Sequence, residues 1–208
     1  MSKTLRDMLV GVILGDAHIR KTGLDKAYIT FEQSSKKAEY IQHLQNLAQA
    51  ELPLMEEGLK EYSRDDSRYN STNKSLYFRT QSLENLRPLA DLFLDDSGKK
   101  VIPTNIADYL TPRGLAFWIM DDGQQVKKAG VTLCTDSYNN TEISILRDAL
   151  KANFNIETSI HKKTSQTSDN VYERIYINKE SLENLKPSIM EHLHPSMLYK
   201  INEAPPII

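Results

Sequence analysis

At 208 residues, 39% hydrophobic and 26% charged, the chain is long enough for one large domain or two small ones and has the make-up of an ordinary globular protein. Its net charge of −2 speaks against a protein that coats nucleic acid indiscriminately. The single cysteine, Cys134, excludes an internal disulfide and a thiolate zinc site, no apolar run reaches membrane-spanning length, and the start reads as neither a signal nor a transit peptide.

In chain order, residues 5–15 read as a helix. Residues 18–21 and 27–33 come next as a hairpin around Thr22-Gly23-Leu24-Asp25, with β-formers such as Tyr28 and Thr30. Residues 36–52 carry Tyr40, Ile41, Leu44, Leu47 and Ala48 at helical spacing, and Pro53 closes that helix. Residues 58–65 and 74–80 read as two strands across a polar loop, and Ser82 caps a helix to about Leu94. The second half runs through the same order. Pro112 starts a helix, 126–128 and 131–135 form a hairpin turning near Ala129-Gly130, and 141–154 is an amphipathic helix. Residues 157–162 and 171–178 are strands, and Ser181 begins the last helix, which ends near Leu193. Cys134 reads as a small apolar filler in a strand, and His192 and His194 as surface residues.

The repeat is also literal. Ser82-Leu83-Glu84-Asn85-Leu86-Arg87-Pro88 recurs as Ser181-Leu182-Glu183-Asn184-Leu185-Lys186-Pro187, each behind a strand with Tyr77 or Tyr176 at the same offset. Duplication of a half-domain is the economical reading, with the first half at 1–100, a linker at 101–111 and the second half at 112–208. The fold class expected is α+β, two pseudo-symmetric αββαββα halves.

Each half opens on an apolar run that stops on acid. Residues 9–17 are Leu-Val-Gly-Val-Ile-Leu-Gly-Asp-Ala and residues 115–123 are Leu-Ala-Phe-Trp-Ile-Met-Asp-Asp-Gly, with Asp16 and Asp122 eighth in each. Gly11 and Gly15 stand four apart, on one helix face, where another backbone could come close, and Phe117 takes the place of Gly11 in the second copy. Two carboxylates brought together repel unless a cation lies between them. The bare residues fit either a magnesium centre built on oxygen ligands or a buried, hydrogen-bonded acidic pair.

The strands carry a small net positive charge, balanced by a negative excess on the helices and ends. Arg20, Lys21, Lys26, Arg64, Arg68, Lys74 and Arg79 in the first half are the candidate nucleic-acid contacts, with Lys127, Lys128, Lys162, Lys163 and Arg174 in the second.

On these two motifs the chain resembles the LAGLIDADG homing endonucleases, over about residues 5–201, and in particular the single-chain, two-motif members of the mitochondrial-intron type. The resemblance implies that the two motif helices pack together and that the antiparallel sheets form a DNA-binding saddle. It makes Asp16 and Asp122 catalytic metal ligands, assisted by the main-chain carbonyls of Gly15 and Asp121. Lys100 and Lys200 match the family's late basic residues, and Gln33 its water-positioning polar residue, with Thr135 as the mirror of Gln33. Ala17 and Gly15 depart from the usual spelling without removing a ligand. The activity this resemblance implies is that of a monomeric, site-specific double-strand DNA endonuclease that uses Mg2+, with Mn2+ able to substitute. It would leave short 3′ overhangs and promote mobility of its intron or gene, in an organelle, the mitochondrion before the chloroplast. Two alternatives remain: a group I intron RNA maturase on the same fold, and a DNA-binding regulator without catalysis.

Overall fold

The computed structural model describes residues 1–66, 71–165 and 169–204. The chain forms two compact units. The first comprises Met1–Arg6 and Asp16–Lys99, the second Asp7–Gly15 and Lys100–Ile208. Helix α1 (Lys3–Leu14) therefore contributes its first residues to one unit and the rest to the other. Ser2 starts it by accepting from the Leu5 amide through its hydroxyl at 3.1 Å.

In the first unit, β1 (His18–Thr22), β2 (Lys26–Ser34), β3 (Lys60–Asp66) and β4 (Ser71–Arg79) form an antiparallel sheet in the order β1-β2-β4-β3. Strict alternation along β2 buries Ala27, Ile29, Phe31 and Gln33 and leaves Tyr28, Thr30, Glu32 and Ser34 more open. The buried row faces α2 (Ala38–Gln49) and α3 (Arg87–Phe93), with Phe31 stacked on Phe78 at 4.4 Å.

The second unit repeats that topology. Strands β5 (Gly123–Gln125), β6 (Val131–Leu133), β7 (Thr158–Thr164) and β8 (Val171–Ile177) run in the order β5-β6-β8-β7, also antiparallel. Helices α4 (Pro112–Asp122), α5 (Asn140–Phe154) and α6 (Lys179–Ile189) complete it. The α+β class and the duplicated order match the expectation. Thr111 caps α4 by accepting from the Gly114 amide, and Asn139 caps α5 in a reciprocal capping box with Glu142. Residues 101–111 are packed rather than extended, with Ile102, Ile106 and Leu110 buried in this unit.

Two of the element boundaries that differ from those expected have a local cause. Residues 126–130 form the β5–β6 turn and the strand before it is 123–125, because α4 ends at Asp122 and Gly123 is already extended. The first-half helix begins at Arg87 rather than Ser82, because Leu83 pairs with Ala27 through main-chain bonds of 3.1 and 2.8 Å and a 3-10 turn intervenes.

Inside the second unit α1 meets α4 at glycines. A β-carbon on Gly11 would stand 2.1 Å from the Gly114 carbonyl oxygen and 2.9 Å from the Phe117 β-carbon. The missing side chain at Gly11 lets the two backbones touch, and Phe117 packs against that gap. Around the contact, Met8 to Leu14 and Leu115 to Met120 are buried.

Candidate active site

Helix C-termini leave carbonyls without intrahelical donors and carry partial negative charge. Both motif helices answer this with cations. Lys100 donates its ammonium to the Ile13 carbonyl at 2.6 Å and the Gly15 carbonyl at 3.1 Å. Lys200 donates to the Asp121 carbonyl at 2.8 Å and is only 5% exposed. Positions 15 and 121 correspond in the two motifs, so the two lysines make equivalent contacts. The Tyr138 hydroxyl adds a third donor, to the Leu14 carbonyl at 2.7 Å, and burial holds its pKa far above the ordinary value.

These helix ends also approach each other closely. A β-carbon on Gly15 would lie 2.5 Å from that of Asp121. The next residue after each is the aspartate of its motif, Asp16 and Asp122. In the second unit the Asp122 carbonyl accepts from the Cys134 amide at 3.0 Å, which ties the end of α4 to β6. Cys134 is half-buried, and burial pushes its thiol pKa up.

In the first unit Gln33, 4% exposed, donates its amide to the Asp16 carboxylate at 2.8 Å and accepts from the Lys37 ammonium at 2.8 Å. Its sequence mirror differs. Thr135 is fully buried, with its hydroxyl donating to the Glu173 carbonyl at 2.7 Å. The second unit instead holds Arg174, whose guanidinium donates to both carboxylate oxygens of Asp136, at 2.6 Å from Nε, and to Gln124 at 3.0 Å. That hydrogen-bonded pair holds the Arg174 pKa above its usual value. Lys37, Tyr138, Asp136 and Gln124 were not singled out by sequence. Only the position of Lys37, four residues beyond Gln33, hinted at its contact.

The remaining basic candidates separate by strand parity. Arg20, Lys26, Arg64 and Arg79 share the row of Tyr28 and Thr30, on the face away from α2 and α3. Arg79 is braced there by Thr30 at 3.1 Å and lies 5.0 Å over the Tyr28 ring. Lys21 points the other way, into an ion pair with Asp91 of α3 at 2.9 Å, and Lys74 pairs with Glu61 at 3.0 Å. In the second sheet Lys163 shares the row of Arg174 and Tyr172, where His161 stacks on Tyr176 at 4.3 Å, whereas Lys162 takes the alternate row with Ile160. Lys127 and Lys128 stand in the β5–β6 turn. Arg68 lies outside the described residues.

Two acid-terminated helices in tight glycine contact, each capped by a lysine and each leading into a four-stranded antiparallel sheet, make up the candidate site. The sequence profile of the LAGLIDADG DNA endonuclease family matches residues 6–185, and the chain belongs to that family. It is similar to the cytochrome b mRNA maturase bI2 of Debaryomyces hansenii, at 29% identity over 97% of this chain and 74% of the relative. It is also similar to the DNA endonuclease I-ChuI of Chlamydomonas applanata, at 27% identity over 98% and 97%. Among solved structures, the homing endonuclease I-WcaI bound to its DNA recognition sequence superposes with a TM-score of 0.81 at 26% identity, covering 96% of this chain and 86% of that one. No helix among the described residues is long and apolar enough to cross a membrane.

Proposed function

We propose that this chain is a monomeric homing endonuclease that hydrolyses both strands of a specific DNA duplex, leaving 5′-phosphate and 3′-hydroxyl ends with short 3′ overhangs. The observation that carries the reading is the matched pair of lysine contacts, Lys100 on the Gly15 carbonyl and Lys200 on the Asp121 carbonyl, each one residue before a motif aspartate. The DNA recognition sequence bound by I-WcaI supports DNA as the ligand here as well.

Asp16 and Asp122 are the proposed carboxylate ligands of a divalent metal, with the Gly15 and Asp121 carbonyls beside them. The donor set fits a hard cation: it is all oxygen, and both carbonyls already attract an ammonium group. Magnesium, for which manganese would substitute, would when bound activate water and offset charge on the phosphoryl oxygens. The protein side chains divide the remaining work. Gln33 holds the Asp16 carboxylate in one orientation, with Lys37 fixing the amide in turn. Lys100 and Lys200 place positive charge where the pentacovalent phosphate would develop its negative charge. Arg20, Lys26, Arg64, Arg79 and Lys163 offer phosphate and base-edge contacts from the faces away from the helices.

The test is cleavage of the intronless junction sequence that flanks this reading frame. Wild type should linearise a plasmid carrying that junction when magnesium is supplied, and Asp16→Asn and Asp122→Asn should each lower the rate by at least about 10²-fold. Cutting by either variant at the wild-type rate would refute the assignment. The likeness to a cytochrome b mRNA maturase supports a second reading, an RNA-binding splicing factor for a group I intron, in a mitochondrion. Splicing that persists in both aspartate variants would favour it.

A further inference from the structure

One side chain near the C-terminus makes more contacts to a distant turn than any cap requires. Asn202 Oδ1 accepts from the Gln125 side-chain amide at 2.9 Å and from the Lys128 main-chain amide at 3.3 Å. Its Nδ2 donates, at longer range, toward the Val126 and Gly130 carbonyls at 3.4 and 3.5 Å. All four partners belong to β5 or to the β5–β6 turn, which carries Lys127 and Lys128.

The turn so gripped is not a relaxed one. Lys128 has φ +58°, a left-handed conformation that residues other than glycine and asparagine seldom adopt. Its amide is the one that Asn202 receives. Gly130, at the base of the turn, has no room for a side chain, since a β-carbon there would stand 1.9 Å from the Ile177 carbonyl oxygen. A left-handed lysine held in place by a remote side chain is the kind of local strain that persists where function uses it.

Asn202 is equally fixed on its own side. It is left-handed itself, at φ +62°, and reverses the chain directly after the 3-10 segment Pro195–Ile201. Lys200 belongs to that segment, two residues away, with its ammonium on the Asp121 carbonyl. On the other side Glu203 is clamped to α6 by Lys186 at 2.6 Å. The Lys186 ammonium is buried, which acts to lower its pKa, but the contacts to Glu183 and Glu203 outweigh that and raise it. A shift of the turn therefore has a short, stiff path to the Lys200 segment.

We propose that Asn202 is a positioning residue that couples the seating of the β5–β6 turn on the phosphate backbone of a nucleic acid to the placement of the Lys200 ammonium at the Asp121 carbonyl. The inference rests on the nuclease reading of Lys200 but adds a residue and a linkage to it. Correct docking at Lys127 and Lys128 would then be a condition for charge at the cleavage centre, so that misdocked duplexes are bound without being cut.

The experiment uses the full chain and a duplex of the intronless junction. Asn202→Gly keeps the left-handed backbone and removes all four contacts, whereas Asn202→Asp keeps the acceptor and loses the donor. Single-turnover cleavage should fall about 10- to 100-fold in Asn202→Gly and less in Asn202→Asp, with duplex affinity in EDTA within about threefold of wild type. Lys128→Gly should slow cleavage in the wild-type background but add no further rate loss to Asn202→Gly. Additive rate losses, or a loss carried wholly by affinity, would overturn the proposal. The Lys200 side-chain nitrogen resonance should also move on duplex binding in wild type and stay put in Asn202→Gly, and equal movement in both would overturn it too. A wild-type chain that binds the duplex without cutting it would refute the endonuclease reading alone, because the resonance reports the coupling without chemistry.

Discussion

Gly11 of α1 lies so close to Gly114 of α4 that a β-carbon on the first would stand 2.1 Å from the carbonyl oxygen of the second. Helix propensity alone says that alanine at Gly11 should stabilise α1 by about 1 kcal/mol. Overpacking against rigid backbone costs about 1–3 kcal/mol and wins here, since a carbonyl oxygen cannot swing aside as a side chain would. Gly11→Ala should therefore lower the urea midpoint. At Gly23 a cost would have another source: nothing lies within 4 Å of a β-carbon there, and only its φ of +61° costs, by about 1–2 kcal/mol. A Gly11→Ala protein as stable as wild type would mean that the two helices do not pack this tightly.

Lys200→Met should reduce the cleavage rate about 10²–10³-fold, while duplex affinity falls only a few-fold. The lysine is nearly inaccessible and contacts a main-chain carbonyl, so it is poorly placed to be one more phosphate anchor. Single-turnover rates set beside binding isotherms separate the two roles. A loss confined to affinity would count against it.

The Arg174–Asp136 pair should show strong coupling. Arg174 is 8% exposed, so Asp136→Ala strands a charge that has few other partners at hand. Because the Asp136 side chain is 34% exposed, water recovers part of the loss, and about 1–3 kcal/mol is expected rather than the full cost of breaking a buried pair. The double variant Arg174→Met/Asp136→Ala should be milder than the sum of the two single ones. Strict additivity in denaturation would show that the pair is not coupled.

Acid should weaken the second unit through His192. Burial, ahead of the opposing pull of Glu191 and the added push of Arg113, holds its pKa below the ordinary value. The folded state thus binds fewer protons than the unfolded one, whose histidine titrates near about 6.5. This contribution is complete above that pH and is lost as pH falls through the lower folded pKa. Between pH 7.5 and 5.0 the urea midpoint should drop more steeply in wild type than in His192→Gln. Parallel curves for the two proteins would exclude His192 as a source.

The heptapeptide repeat marks how far sequence could be read. It identified the duplication, and both sheets have the same strand order. Yet the two copies fold differently. Residues 181–187 lie wholly in α6, started by Asn178, whose side chain accepts from the Ser181 amide at 2.8 Å. Residues 82–88 pass from an extended Leu83 through a 3-10 turn before α3 begins. What precedes each copy decides: a helix cap in one, main-chain pairing to β2 in the other. Local propensity is nearly identical and was overridden.

For the candidate site, the proposed residues that act through their own position were open to sequence reading. Asp16 and Asp122 could be proposed from the repeated motif, and Lys100 and Lys200 from the family resemblance alone. Residues that act through a neighbour were not, because the contacts of Tyr138, Asp136 and Asn202 join segments dozens of residues apart. Charge counting likewise gave Lys21 and Arg20 equal weight, and only strand parity separates them, placing Lys21 against Asp91.

The division of α1 between the units bears on any attempt to split this protein. Its residues from Asp7 onward belong with the body built from residues 100–208, although they are synthesised first. A fragment ending at residue 100 would carry Leu9, Val10, Val12 and Ile13 with nothing to cover them, and the complementary fragment would keep an unfilled trough along α4. Neither piece should stay soluble by itself, whereas the two expressed together should reassemble, a trait useful for bringing such an enzyme under the control of a dimerising signal.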